Sequence, residues 1–111
     1  MKITGVFIPC DDTVRTSLVT FDNADFTTQE NLIGATMGLG FIRINENDDA
    51  RIIIDDAGRL KGKPVNYRCA GMYPGPICGD VILVGWDNNI GEDELEMTDA
   101  PMFYQTISGA I

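Results

Sequence analysis

The run Asp80-Val81-Ile82-Leu83-Val84-Gly85 constrains the fold most. Four large apolar residues follow one another, three of them β-branched, with a turn signal at each end. The run is too short for a buried helix, and no face of its pleat is polar, so it reads as a buried central strand. The rest of the chain must supply its neighbours. Ile3 to Ile8 reads as a strand ended by Pro9 and the Asp11-Asp12 turn. Val14 to Phe21 alternates with period two and completes a first hairpin. Phe41 to Asn45 and Arg51 to Asp55 read as a second hairpin, with its turn at Glu46 to Asp49. Asp55-Asp56-Ala57-Gly58 then closes in a turn whose Gly can take positive φ.

Between the hairpins, Thr27 followed three places later by Glu30 fits a capping box, with Leu32, Ile33, Thr36 and Met37 at helical spacing behind it. Gly38 suits the left-handed residue that ends a helix, so the spacing predicts a helix over 28–37. Residues 59–79 are rich in Gly, Pro and Lys and read as an extended loop, with one helical turn at 66–70. Gly91 to Met97 reads as an acidic loop or short turn. Thr98-Asp99-Ala100-Pro101 offers a second helix start, with Met102, Phe103 and Ile107 packing on the sheet. The expected fold is a single α+β domain over 1–111, a mainly antiparallel sheet with one or two helices packed on one face.

Composition limits the chemistry. The 111 residues include no histidine, which removes the commonest general base near neutral pH and every Ser-His or Cys-His pair. The three cysteines, Cys10, Cys69 and Cys78, form no Cys-x-x-Cys pair, and zinc usually needs four protein ligands in a structural site. They read as reduced thiols, and no cofactor or metal is expected. No apolar run approaches the roughly 20 residues of a membrane span, and the N-terminus lacks the long apolar stretch of a signal peptide, so a cytoplasmic protein is expected. Net charge is −9, unevenly spread. Residues 1–68 carry ten acids and all eight bases, whereas residues 69–111 carry seven acids and no base. Such a surface repels nucleic-acid phosphates and suits a basic protein partner.

Three segments occur in an order that resembles a known family. They are Gly38-Leu39-Gly40-Phe41-Ile42, then Asp56 to Asn66 with its Gly-Arg-Leu-Lys-Gly-Lys-Pro-Val-Asn core, then Gly79 to Gly85. Over roughly residues 14–100 the chain resembles domain-of-unknown-function family 3846, an uncharacterised family of bacteriophages, plasmids and their hosts. Only Arg68 is basic after Asn66 here, where members often carry more, and 71–76 is peculiar to this chain. The family has no established activity. The resemblance implies a small accessory protein of a mobile element, acting in the cytoplasm of a host cell, with counter-defence as one setting.

The candidate site is the loop that holds half of the chain's bases: Arg59, Lys61, Lys63 and Arg68. Gly62 permits close backbone approach and Pro64 stiffens the loop, so it could grip a phosphate by charge and backbone amides. The alternative is that these bases pair with Asp55, Asp56 and other carboxylates of their own surface. No Walker-type spacing supports nucleotide hydrolysis. Asn66 falls in the same segment. Tyr67 and Tyr73 could stack on a base beside Arg68, or else cover the sheet. The expected function is non-enzymatic capture of a small phosphorylated or nucleotide-like ligand at Arg59, Lys61, Gly62, Lys63, Asn66, Tyr67, Arg68 and Tyr73. A domain this small has little room for an internal pocket, so homo-oligomerisation would complete one between subunits. The alternative function is an acidic inhibitor in a basic groove of a host protein, using Asp87, Glu92, Asp93, Glu94, Glu96 and Asp99 as phosphate mimics. An enzyme using carboxylates and a metal ranks last.

Overall fold

The computed structural model describes residues 1–44, 47–87 and 96–105. Its frame is an antiparallel sheet: β1 (Lys2–Ile8), β2 (Ser17–Asp22), β3 (Leu39–Ile44), β4 (Asn47–Asp55), β5 (Val81–Trp86) and β6 (Met97–Thr98). The strand order is β2-β1-β5-β4-β3, with β6 also paired to β5. The Val81–Val84 run therefore sits in the middle of the sheet, between β1 and β4, and is buried on both faces. Both hairpins form as the alternation predicts. β2 starts later than expected, because the Asp11 side chain accepts from the Thr13 amide at 2.9 Å and the Asp11 carbonyl from the Val14 amide at 3.1 Å. Those bonds hold the chain in a turn where a strand was expected. β4 likewise begins at Asn47, inside the expected turn, and a register shift falls between Arg43 and Ile44.

Alternation along the strands divides the core into two apolar layers. One contains Ile3, Phe21, Ile53, Ile82 and Val84, and is covered by Ile33 of the helix α1 (Phe26–Ile33) and by Ala35. The other contains Val6, Ile8, Ile52, Val81 and Leu83, and is covered by Cys69 and Ile77 of the long loop, with Ala100 and Tyr104 beside them. The expected α+β fold is what forms.

Helix α1 is shorter than expected, and both caps differ. Its N-cap is Asp25, whose carboxylate accepts from the Thr28 amide at 3.0 Å and the Thr28 hydroxyl at 2.7 Å. The Thr28 hydroxyl, then its amide, hold the Asp25 carboxyl below the usual range against a small opposing effect of burial. The helix ends at Gly34, in the left-handed region at φ 71°, ahead of Gly38. Thr36 and Met37 therefore lie outside it, and Met37 is exposed, not part of a core stripe.

The C-terminal helix is a turn over 102–105 whose Tyr104, not Met102 or Phe103, packs on the sheet. Ile107 and Glu92 to Glu94 lie outside the described residues. β6 falls where the end of the acidic loop and the start of the second helix were expected, and Gly85 makes its approach possible. A side chain at Gly85 would collide with the Asp99 carbonyl and the Thr98 hydroxyl. Among the described residues, no helix is long and apolar enough to cross a membrane.

Candidate functional site

The loop from Asp56 to Gly79 departs from the end of β4, and a buried carboxylate fixes its start. The Asp55 side chain is fully buried and its Oδ1 accepts from the Ala57 amide at 2.9 Å. Its Oδ2 lies 2.8 Å from Lys61 Nζ and 2.8 Å from Lys63 Nζ. Burial pushes the Asp55 carboxyl upward, but the bonds from Lys61, Lys63 and the Ala57 amide outweigh it and hold the carboxyl at about 2. Gly58 does not take positive φ. Its role is close approach, since a Cβ there would lie 3.2 Å from the carbonyls of Asp55 and Cys78. Gly62 does take positive φ, at 75°, and turns the loop between the two lysines.

Lys63 is more deeply engaged than Lys61. Besides Asp55, its Nζ donates to the carbonyls of Ile33 and Gly34, both at 3.1 Å. These belong to the C-terminal end of α1, where a cation satisfies orphan carbonyls and opposes the helix dipole. Lys61 and Lys63 are thus the internal counter-ions of Asp55. This is the arrangement in which the basic run pairs with its own carboxylates. Arg59, outside that network, is exposed.

Asn66 is also structural. It is buried, its side-chain amide donates to Ile8 O and Gly79 O at 3.0 Å each, and its side-chain oxygen accepts from the Arg68 amide at 3.2 Å. It ties the loop to β1 and caps a single 3-10 turn at Tyr67–Cys69.

Beyond Asn66 the loop folds into a cup. Residues 64–66 run against 77–79, joined by the Val65–Cys78 bridge and by the bonds Asn66 N to Ile77 O, 2.7 Å, and Gly79 N to Pro64 O, 2.8 Å. A second bridge joins Ala70 to Tyr73. The cup encloses about 250 Å³ and is lined by Val65, Asn66, Tyr67, Cys69, Ala70, Gly71, Tyr73, Pro74, Gly75, Pro76 and Ile77. Tyr67 is 81% exposed and Tyr73 40%. The Tyr73 ring lies against Gly75, where a Cβ would come within 3.1 Å of it. Burial, then the nearby Cys10 thiol, raises Cys69 to about 11, so the thiol in the cup wall stays protonated at neutral pH.

Arg68 belongs to the same segment but does not line the cup. The Thr13 hydroxyl, then the Thr13 amide, hold Asp11 below the usual carboxylate range, burial opposes them, and Arg68 adds a smaller pull. Arg68 Nη1 is buried and has no hydrogen-bond partner among the described residues. The structure thus brings Asn66, Tyr67 and Tyr73 together, ties Lys61 and Lys63 to Asp55, and leaves Arg59 and Arg68 outside the cup. Sequence reasoning missed the apolar wall of Val65, Ala70 and Ile77, whose single residues carry no periodicity.

No family model matches the chain, and no curated protein matches it. Among solved structures, the crystal structure of the small RNA methyltransferase HEN1 is similar, with a TM-score of 0.70 at 19% sequence identity. The match covers 96% of this chain and 16% of that one, and at this identity the likeness is one of fold.

Proposed function

We propose that the protein is a non-enzymatic binding domain that captures a small nucleotide-like ligand, its planar ring seated in the 65–77 cup. The observation that carries this reading is the cup itself, a concave site of about 250 Å³ with two partly exposed tyrosines at hand. Aromatic faces stack on nucleobases irrespective of sequence, at about 1–3 kcal/mol per base. Catalysis has less support. Among the described residues, no carboxylate, lysine or arginine lines the cup, and the Cys69 thiol in its wall is held protonated. The lysines stabilise the loop, so any phosphate would meet Arg59 or Arg68 from outside the cup. A role as an accessory protein of a phage or other mobile element, including counter-defence, rests on the family resemblance.

The experiment is to incubate the protein with a mixture of nucleotides and nucleotide signals, re-isolate it, release bound molecules by heat and analyse them. Intact released ligand is expected. Chemically altered ligand indicates an enzyme, and no depletion of any component contradicts capture.

A further inference from the structure

A second cavity lies on the helix-covered face of the sheet, across the sheet from the cup, where the short α1 leaves rings uncovered. It encloses about 230 Å³ and is lined by Phe26, Glu30, Leu39 and Phe41. The backbone dictates this grouping. Phe26 and Glu30 are one helical turn apart and share a face of α1. Leu39 and Phe41 are two apart on β3 and share a face of the sheet. The Phe26 and Phe41 rings meet at 67° with centroids 6.4 Å apart, so they form two walls at an angle. Trp86 backs Phe41 at 5.7 Å, and the Arg51 guanidinium lies 5.2 Å from the Trp86 ring centre. This aromatic cluster already holds one cation on a π face.

We propose that the Phe26–Glu30–Leu39–Phe41 cavity is a cation site for an alkylated ammonium group, trimethylammonium above all. The face of an aromatic ring carries the negative quadrupole that attracts a cation, and the Phe26 and Phe41 rings both line this cavity. Leu39 favours methyl groups over a hydrated ammonium. The Glu30 carboxylate supplies the opposite charge, and the protein's net charge of −9 adds to it. A neutral apolar occupant fits less well, because it would strip water from Glu30 and give no partner in return. Phe26 and Phe41 are 42% and 38% exposed, so the site is open to an incoming group. The same chemistry occurs in a free choline-like molecule and in a trimethylated lysine side chain.

The test uses the full chain and tetramethylammonium, with saturation transfer to its methyl protons read by NMR. Saturable transfer is expected, and Glu30→Gln and Phe41→Leu should each weaken it by about threefold to tenfold. The neutral isostere 3,3-dimethylbutan-1-ol should bind less. Glu30→Gln keeps shape and size, so it decides the matter if Phe41→Leu lowers stability. No transfer, equal affinity for the neutral alcohol, or unchanged affinity in Glu30→Gln overturns the proposal. Comparing choline with a peptide carrying trimethyllysine then names the source. Tighter binding of either supports the site, and binding of neither overturns it.

Discussion

Lys63 Nζ lies 2.8 Å from Asp55 Oδ2 while it donates to the carbonyls of Ile33 and Gly34, so one ammonium group joins the end of β4, the end of α1 and the long loop. Three elements distant in sequence meet at this atom. Lys61 shares the same carboxylate oxygen but has no bond to the helix. The two lysines should therefore differ. Lys63→Met should lower stability by about 2–3 kcal/mol and Lys61→Met by about 1, since only the former strands helix-end carbonyls. Urea unfolding of the two variants checks this.

Acid should act on the same group. The Asp55 carboxyl is held at about 2, below its ordinary 3.8. The native state thus binds fewer protons than the unfolded chain between these values, and stability falls as pH falls through them. The contribution, about 2 kcal/mol, is present in full above the ordinary value and lost toward pH 2. Asp55→Asn lacks this dependence. The stability gap between wild type and Asp55→Asn, followed by denaturant melts from pH 7 to pH 2.5, should narrow on acidification. A constant gap contradicts the assignment.

Asn66 is expected to tolerate no truncation. Asn66→Ala leaves the buried carbonyls of Ile8 and Gly79 and the Arg68 amide without their partner. Unmade buried hydrogen bonds cost about 1–3 kcal/mol each before relaxation, so a loss of about 2–4 kcal/mol is expected by thermal or urea unfolding. Amide hydrogen exchange should quicken at Gly79, whose pairing with Pro64 depends on the same register.

Gly85→Ala tests the placement of β6. The added methyl would meet the Asp99 carbonyl, a backbone atom with little room to yield, because the Asp99 side chain is itself tethered to the Thr4 amide at 2.7 Å. A destabilisation of about 3 kcal/mol is expected, read as a lower Tm. A neutral effect contradicts the docking of 97–99 beside β5.

The strands were legible because burial on one or both faces writes period two, or a continuous apolar run, into Ile3–Ile8, Phe41–Ile44, Arg51–Asp55 and Val81–Val84. β6 was not, since Met97–Thr98 is too short to show a period. The helix ends were misplaced because two residues compete for each cap. Asp25 wins over Thr27 by bonding both groups of Thr28, and Gly34 wins over Gly38 because Lys63 waits beside it. In the candidate site, the pairing of Lys61 and Lys63 with Asp55 was one of two readings open to the sequence. Side-chain direction was the harder part. Successive residues on a 3-10 turn point about 120° apart, so Tyr67 and Arg68 cannot serve one ligand as neighbours in sequence suggest.

The tyrosine cup, not the lysine pair, is the proposed seat of the ligand. The direct measurement is calorimetric titration of whichever nucleotide the capture experiment releases into wild type, Tyr67→Ala and Lys61→Met. Tyr67→Ala should weaken binding about tenfold or more, from the loss of one stacking face, while Lys61→Met binds as wild type does. Full binding by Tyr67→Ala together with loss in Lys61→Met would return the site to the lysines and contradict the account.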